Sequence, residues 1–86
     1  MEKAYYRSVM IQNENHKCKI IGKEMCIWCQ KSKELLTKFN IPFIWEDVPV
    51  DFKYDTVPQI WIGEIHIGGY SHLKQLIECV YQVKVE

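Results

Sequence analysis

The apolar positions of this chain change period several times, and each change marks a predicted element. From Lys17 to Gly22 the residues alternate, Cys18 and Ile20 on one face and Lys17, Lys19 and Ile21 on the other, which predicts a strand. From Met25 to Phe39 the period lengthens. Trp28, Ser32, Leu35 and Phe39 recur at helical spacing with Leu36 beside them and charged residues opposite. Asn40 and Pro42 supply the stop. Alternation returns from Pro42 to Val48, where Phe43 and Trp45 oppose Ile44 and Glu46. Two short strands follow, Gln59 to Ile62 and Ile65 to Ile67, joined by Gly63-Glu64, whose leading glycine suits a type II′ hairpin turn. After Gly68-Gly69, Ser71 is placed to cap a last helix with the stripe Leu73, Leu76, Ile77 and Val80. The predicted order is β-α-β-β-β-α: a parallel βαβ unit, an antiparallel hairpin and a closing helix around a four-stranded mixed sheet.

Composition narrows the class. Eighty-six residues make one small domain, and a hydrophobic fraction of 48% with 13% aromatics excludes a disordered tail. Residues 17–83 form the predicted core and residues 1–16 an N-terminal extension. The formal net charge of zero gives no electrostatic footprint for nucleic acid or an acidic membrane. No apolar run approaches the roughly 20 residues a bilayer span needs, and Met1 to Arg7 lacks a signal-peptide pattern. The expected location is the cytoplasm. There, four cysteines point to redox or metal chemistry rather than structural staples.

Cys26-Ile27-Trp28-Cys29 carries that chemistry, because it opens the first predicted helix directly after a strand. A helix start stabilises a thiolate, and a three-residue step brings the second sulfur within reach of the first. The same spacing is half a zinc site, which Cys18 and His16 would have to complete without a second closely spaced pair. Two more motifs follow in order, Thr56-Val57-Pro58-Gln59 before the hairpin and Gly68-Gly69-Tyr70-Ser71 before the last helix.

With these three motifs in this order, the chain resembles the glutaredoxin family over roughly Lys17 to Val83. The resemblance implies a truncated thioredoxin-like fold and a glutathione-dependent thiol–disulfide oxidoreductase. Cys26 is then the nucleophile, stabilised by helix-terminal N–H groups and by Lys23, and Cys29 the more buried resolving thiol. Pro58 is expected to be cis, presenting the backbone of Val57 to the cysteinyl part of glutathione. The resemblance assigns the γ-glutamyl carboxylate to the helix start at Gly69, Tyr70 and Ser71, while Lys23 and Gln59 are candidates for the glycyl carboxylate or plain surface residues. Trp28 is read either as an apolar wall beside the thiol or as core packing. Glutathione is the expected co-substrate, with no metal. Disulfide-containing or glutathionylated proteins are the expected partners, ribonucleotide reductase among them, and the protein is expected to act as a monomer. Compact relatives of this kind also occur in viruses and phages.

Competing readings are a thioredoxin-like electron donor served by a reductase, and a metal or iron–sulfur module built on Cys26 and Cys29. Cys18 reads as a small core residue and Cys79 as a bystander beside the last helix stripe. Two departures from the family stand out. Ser71 occupies a position where many members carry an acid. The eight residues between Asp47 and Thr56, one of them Pro49, hold a turn at most where members fit a helix. The N-terminal segment, with Tyr5, Tyr6, Val9, Met10 and Ile11, is expected to cover the exposed sheet face, so that its deletion lowers the melting temperature.

Overall fold

A computed structural model describes residues 18–85 of the protein. The expectations for Lys17 and the N-terminal segment lie outside them. The elements run β1 (Cys18–Gly22), α1 (Ile27–Lys38), β2 (Phe43–Asp47), β3 (Gln59–Ile62), β4 (Ile65–Gly68) and α2 (Tyr70–Tyr81). The sheet order is β2-β1-β3-β4, with β1 parallel to β2 and antiparallel to β3, and β3 antiparallel to β4. This is the predicted four-stranded mixed sheet.

Register shows how the alternation becomes a core. Cys18 pairs with Ile62 and Ile20 with Ile60, so all four side chains share one face. That face meets Leu35 and Leu36 of α1 and Leu73, Ile77 and Val80 of α2 in one buried cluster. Ile20, Leu36, Ile60, Leu73 and Ile77 are wholly buried there, and such apolar burial is the main stabilising term of a domain this size. Lys19 pairs with Trp61 and Ile21 with Gln59 on the opposite face. There Lys19 forms an ion pair with Glu46 at 3.8 Å.

Helix α1 begins two residues later than its periodicity suggests. Cys26 N–H donates to the Lys23 carbonyl at 3.1 Å in a tight turn, and Met25 is left 96% exposed. Its other end follows the predicted stop. Asn40 takes a left-handed φ of 58°, its N–H donates to Thr37 O, and Ile41 N–H donates back to Leu36 O at 2.9 Å. This is a Schellman closure, with Ile41 and Leu36 in the same core.

The hairpin turn has φ 61° at Gly63, and Glu64 is not among the positive-φ residues, which fits the type II′ expectation. The ladder then slips: Ile60 pairs with Gly68 but Trp61 with His66, leaving Ile67 as an extra residue in β4. Between β2 and β3 the described chain forms no helix, only a turn closed by Phe52 N–H on Pro49 O at 3.2 Å.

Candidate functional site

The β1–α1 junction positions the two thiols. Cys26 is the N-cap of α1, with extended φ −86° and ψ 121°. Its sulfur takes the place of a capping oxygen and accepts the Cys29 N–H at 3.4 Å. Partial burial pushes the Cys26 pKa up. Hydrogen bonds from the Cys29 side chain and from the Cys29 and Trp28 backbones, with the charge of Lys23, outweigh it and hold the pKa below the ordinary 9.0. The first turn of α1 carries no acid to oppose a thiolate.

Cys29 is the opposite case. It is wholly buried, and burial pushes its pKa up to about 11, reinforced by Cys26 and only partly offset by the Lys23 backbone and the Lys33 charge. Gly22 makes room for it. A Cβ there would meet Cys29 Sγ at 2.6 Å and the Trp45 ring at 2.9 Å. In the sequence Gly22 is only a strand end, since only the folded packing shows what stands against it.

Across from Cys26, the Val57–Pro58 bond is cis, as expected, and the Cys26 thiol donates to the Val57 carbonyl at 3.7 Å. From there a groove of about 340 Å³ runs between Thr56, Val57 and Pro58 on one side and Trp28, Gly69, Tyr70 and Ser71 on the other, a volume that suits a small ligand. Trp28 is half exposed and its ring lies 5.4 Å from that of Tyr70, so it forms a wall of the groove rather than core packing.

At the far end, α2 starts without a side-chain cap. Gly69, not Ser71, is its N-cap, because the helix already begins at Tyr70, and the first N–H groups are left to other acceptors. Of the glycine pair, Gly68 is the one the backbone demands: its φ is +117° and a Cβ would strike His72 Nδ1 at 2.7 Å.

Of the candidate residues, the fold brings Trp28, Val57, Pro58, Gly69, Tyr70 and Ser71 to the groove lining with Thr56, and Cys26 stands beside it against the Val57 carbonyl. Lys23 is exposed beside the thiol but does not line the groove. Gln59 does not line the groove either. The alternation that turns Ile60 and Ile62 inward sends Gln59 to the opposite face, where it is buried and engaged with Thr56 and His66. Cys18 is a buried core residue, its pKa pushed up to about 12 by burial, and Cys79 is exposed on α2. Among the described residues, no group of three or more His, Cys, Asp or Glu stands together as a metal site, and no helix is long and apolar enough to cross a membrane.

A capped thiol at a strand–helix junction, a cis-proline strap and an open helix start on a mixed sheet define a thioredoxin-like class of protein. No family model matches the chain. A curated glutaredoxin of Pseudomonas aeruginosa is 35% identical in an alignment of 63 residues, covering 59% of this chain and 73% of that protein. The chain therefore belongs to the glutaredoxin family, a family of thiol oxidoreductases. Among solved structures it is similar to glutaredoxin 1 from Francisella tularensis, complexed with cacodylate, at TM-score 0.66 and 27% identity over 78% of this chain and 98% of that one. A buckwheat glutaredoxin–glutathione complex shares the fold at TM-score 0.63 and 16% identity, over 93% of this chain and 84% of that one.

Proposed function

We propose that this chain is a dithiol glutaredoxin that uses glutathione to reduce protein disulfides and glutathione mixed disulfides. The observation that carries the reading is the Cys26 sulfur. It is held by α1 N–H groups, depressed in pKa, and faces the strap of a groove large enough for a tripeptide.

The steps follow from sulfur chemistry. On a protein disulfide, the Cys26 thiolate attacks one sulfur, forms a mixed disulfide and releases the other sulfur as a thiolate. Cys29, after losing its proton, attacks Cys26 Sγ; the Cys26–Cys29 disulfide forms and the reduced protein leaves. Glutathione thiolate then attacks that disulfide and a second glutathione completes the reduction, leaving both cysteines reduced and one glutathione disulfide. On a glutathionylated protein, Cys26 attacks the glutathione sulfur and the protein thiolate leaves. A further glutathione thiolate attacks the glutathione sulfur bound to Cys26, forming glutathione disulfide and releasing the Cys26 thiolate.

In this reading the Val57 backbone pairs with the cysteinyl unit, and the γ-glutamyl carboxylate goes to the start of α2 at Gly69, Tyr70 and Ser71, a role supported by their place in the groove and the missing side-chain cap. Trp28 and Tyr70 wall off the thiol, and Lys23 acts on the Cys26 charge. We place the protein in the cytoplasm as a monomer, with residues 1–86 forming one domain and ribonucleotide reductase a candidate partner.

Cys29→Ser tests the assignment of roles. Mass spectrometry of this variant incubated with a glutathionylated peptide should show one glutathione on Cys26, and with a protein disulfide a trapped adduct. In a coupled assay the native protein should turn over with glutathione and glutathione reductase. Turnover only with thioredoxin reductase would overturn the proposal.

A further inference from the structure

We propose that Gln59 and His66, on the sheet face away from the thiols, are positioning residues that hold the Thr56–Val57 strap against Cys26. The inference rests on the glutathione-dependent reading above.

Gln59 is 7% exposed, one of two buried polar residues among those described. The other, Ser32, is satisfied within its own helix by Trp28 O at 2.8 Å. Gln59 instead reaches across elements. Its Nε2 donates to the Thr56 carbonyl and to Thr56 Oγ1, both at 3.1 Å. Those two bonds fix the amide, so Oε1 is the acceptor that faces His66 Nε2 at 2.6 Å, and the imidazole must carry its proton on Nε2.

His66 is itself held. Its ring lies 4.8 Å from Trp61 and 4.9 Å from Tyr54, and the extra residue in β4 sets it directly opposite Trp61. The chain of contacts therefore runs from this aromatic cluster through one buried amide to Thr56, the residue before the Val57 carbonyl that Cys26 touches.

The missing helix gives these bonds their importance. The segment leading to the strap has no regular element to fix it, and its turn is closed by the Phe52 N–H on the Pro49 carbonyl. Removing the His66 donor leaves Gln59 Oε1 unpaired, and removing the amide leaves the Thr56 carbonyl unpaired. Either loss frees the strap to move, and small misplacements of a reacting pair are costly. The Cys26 thiolate, in contrast, is set by α1 and Lys23. Positioning and activation are thus separable.

The test compares reduced wild type, His66→Leu, His66→Gln and Gln59→Leu. The rate of Cys26 attack on glutathione disulfide, which forms the Cys26–glutathione disulfide and releases one glutathione thiolate, is measured beside attack on bis(2-hydroxyethyl) disulfide. The pH midpoint of Cys26 alkylation is recorded for each variant. Wild type should prefer glutathione disulfide. His66→Leu and Gln59→Leu should lose roughly three- to tenfold of that preference, the worth of one part-buried hydrogen bond. His66→Gln keeps an N–H toward Gln59 and should stay within about twofold. The alkylation midpoint should be the same in all four.

Leucine variants that fold cooperatively and retain the preference would overturn the proposal, as would His66→Gln losing as much as His66→Leu. If the leucine variants do not fold, His66→Phe, which keeps a ring against Tyr54 and Trp61 but has no donor, must lower the preference about threefold for the proposal to stand. A wild type with no preference would instead overturn the glutathione reading, and this inference with it.

Discussion

At the scale of single residues, two cysteines three positions apart acquire opposite properties from one helix turn. Cys26 sits at the cap, where N–H groups and Lys23 favour the thiolate, whereas Cys29 is a turn deeper, where burial favours the thiol. A lowered pKa gains thiolate population but loses nucleophilicity, so in the proposed reaction it serves Cys26 chiefly as a leaving group. Alkylation of reduced protein across pH should therefore show a first midpoint below 9.0, belonging to Cys26. Lys23→Met should move that midpoint upward, because it removes a favourable charge and leaves the helix N–H groups in place; an unmoved midpoint would show the helix acting alone. Ser71 offers a second residue-scale prediction. With no acid in the first turn of α2, nothing there pairs with a glutathione amine, and Ser71→Asp should lower the KM for glutathione by roughly two- to fivefold if that contact forms on the surface. Glutathione titration of the two proteins checks it.

At the scale of elements, the junctions matter more than the elements they join. Gly22 ends β1 where Cys29 Sγ and the Trp45 ring close over it. Gly22→Ala should destabilise the protein by about 1–3 kcal/mol, as overpacking does, and slow closure of the Cys26–Cys29 disulfide. Thermal melting and stopped-flow oxidation measure the two effects. Asn40, left-handed at φ 58°, closes α1, so Asn40→Ala should cost about 1 kcal/mol while Asn40→Gly should not.

These junctions also divide what the sequence makes legible from what it does not. The Cys-x-x-Cys at a strand–helix boundary, the Asn40 stop, the II′ hairpin and the loss of a helix after β2 all follow from local rules, because each depends on residues close in the chain. The capping of α2 did not follow: Ser71 looks like a cap, but the fold starts the helix two residues earlier and leaves Gly69 there. The room Gly22 leaves and the Gln59–His66 bond join residues seven apart, and only the folded sheet brings them together. For Gln59 a signal did exist, since the alternation that buries Ile60 and Ile62 turns Gln59 to the other face.

At the scale of the whole molecule, α1 and α2 pack on one face of the sheet, and two of the buried groups among the described residues are thiols, Cys18 and Cys29. Burial raises both pKa values, to about 12 and about 11. In the unfolded chain these thiols ionise near pH 9, while in the fold they keep their protons, so unfolding releases protons above that pH. Their contribution to stability is full below about pH 9 and is lost as pH rises through 11 to 12. Denaturant midpoints of the reduced protein should therefore fall over that window. Cys18→Ala should show a shallower fall than wild type, whatever its stability at neutral pH; an equal slope would place the titration elsewhere.

The proposed function makes Cys26 and Cys29 a redox pair served by glutathione, which a redox titration of the native protein in glutathione buffers of stepped composition, read by mass spectrometry after acid quench, tests directly. The predicted result is a reversible two-electron transition between dithiol and Cys26–Cys29 disulfide, replaced in Cys29→Ser by a single glutathione on Cys26. The absence of that disulfide across the whole range would contradict the account.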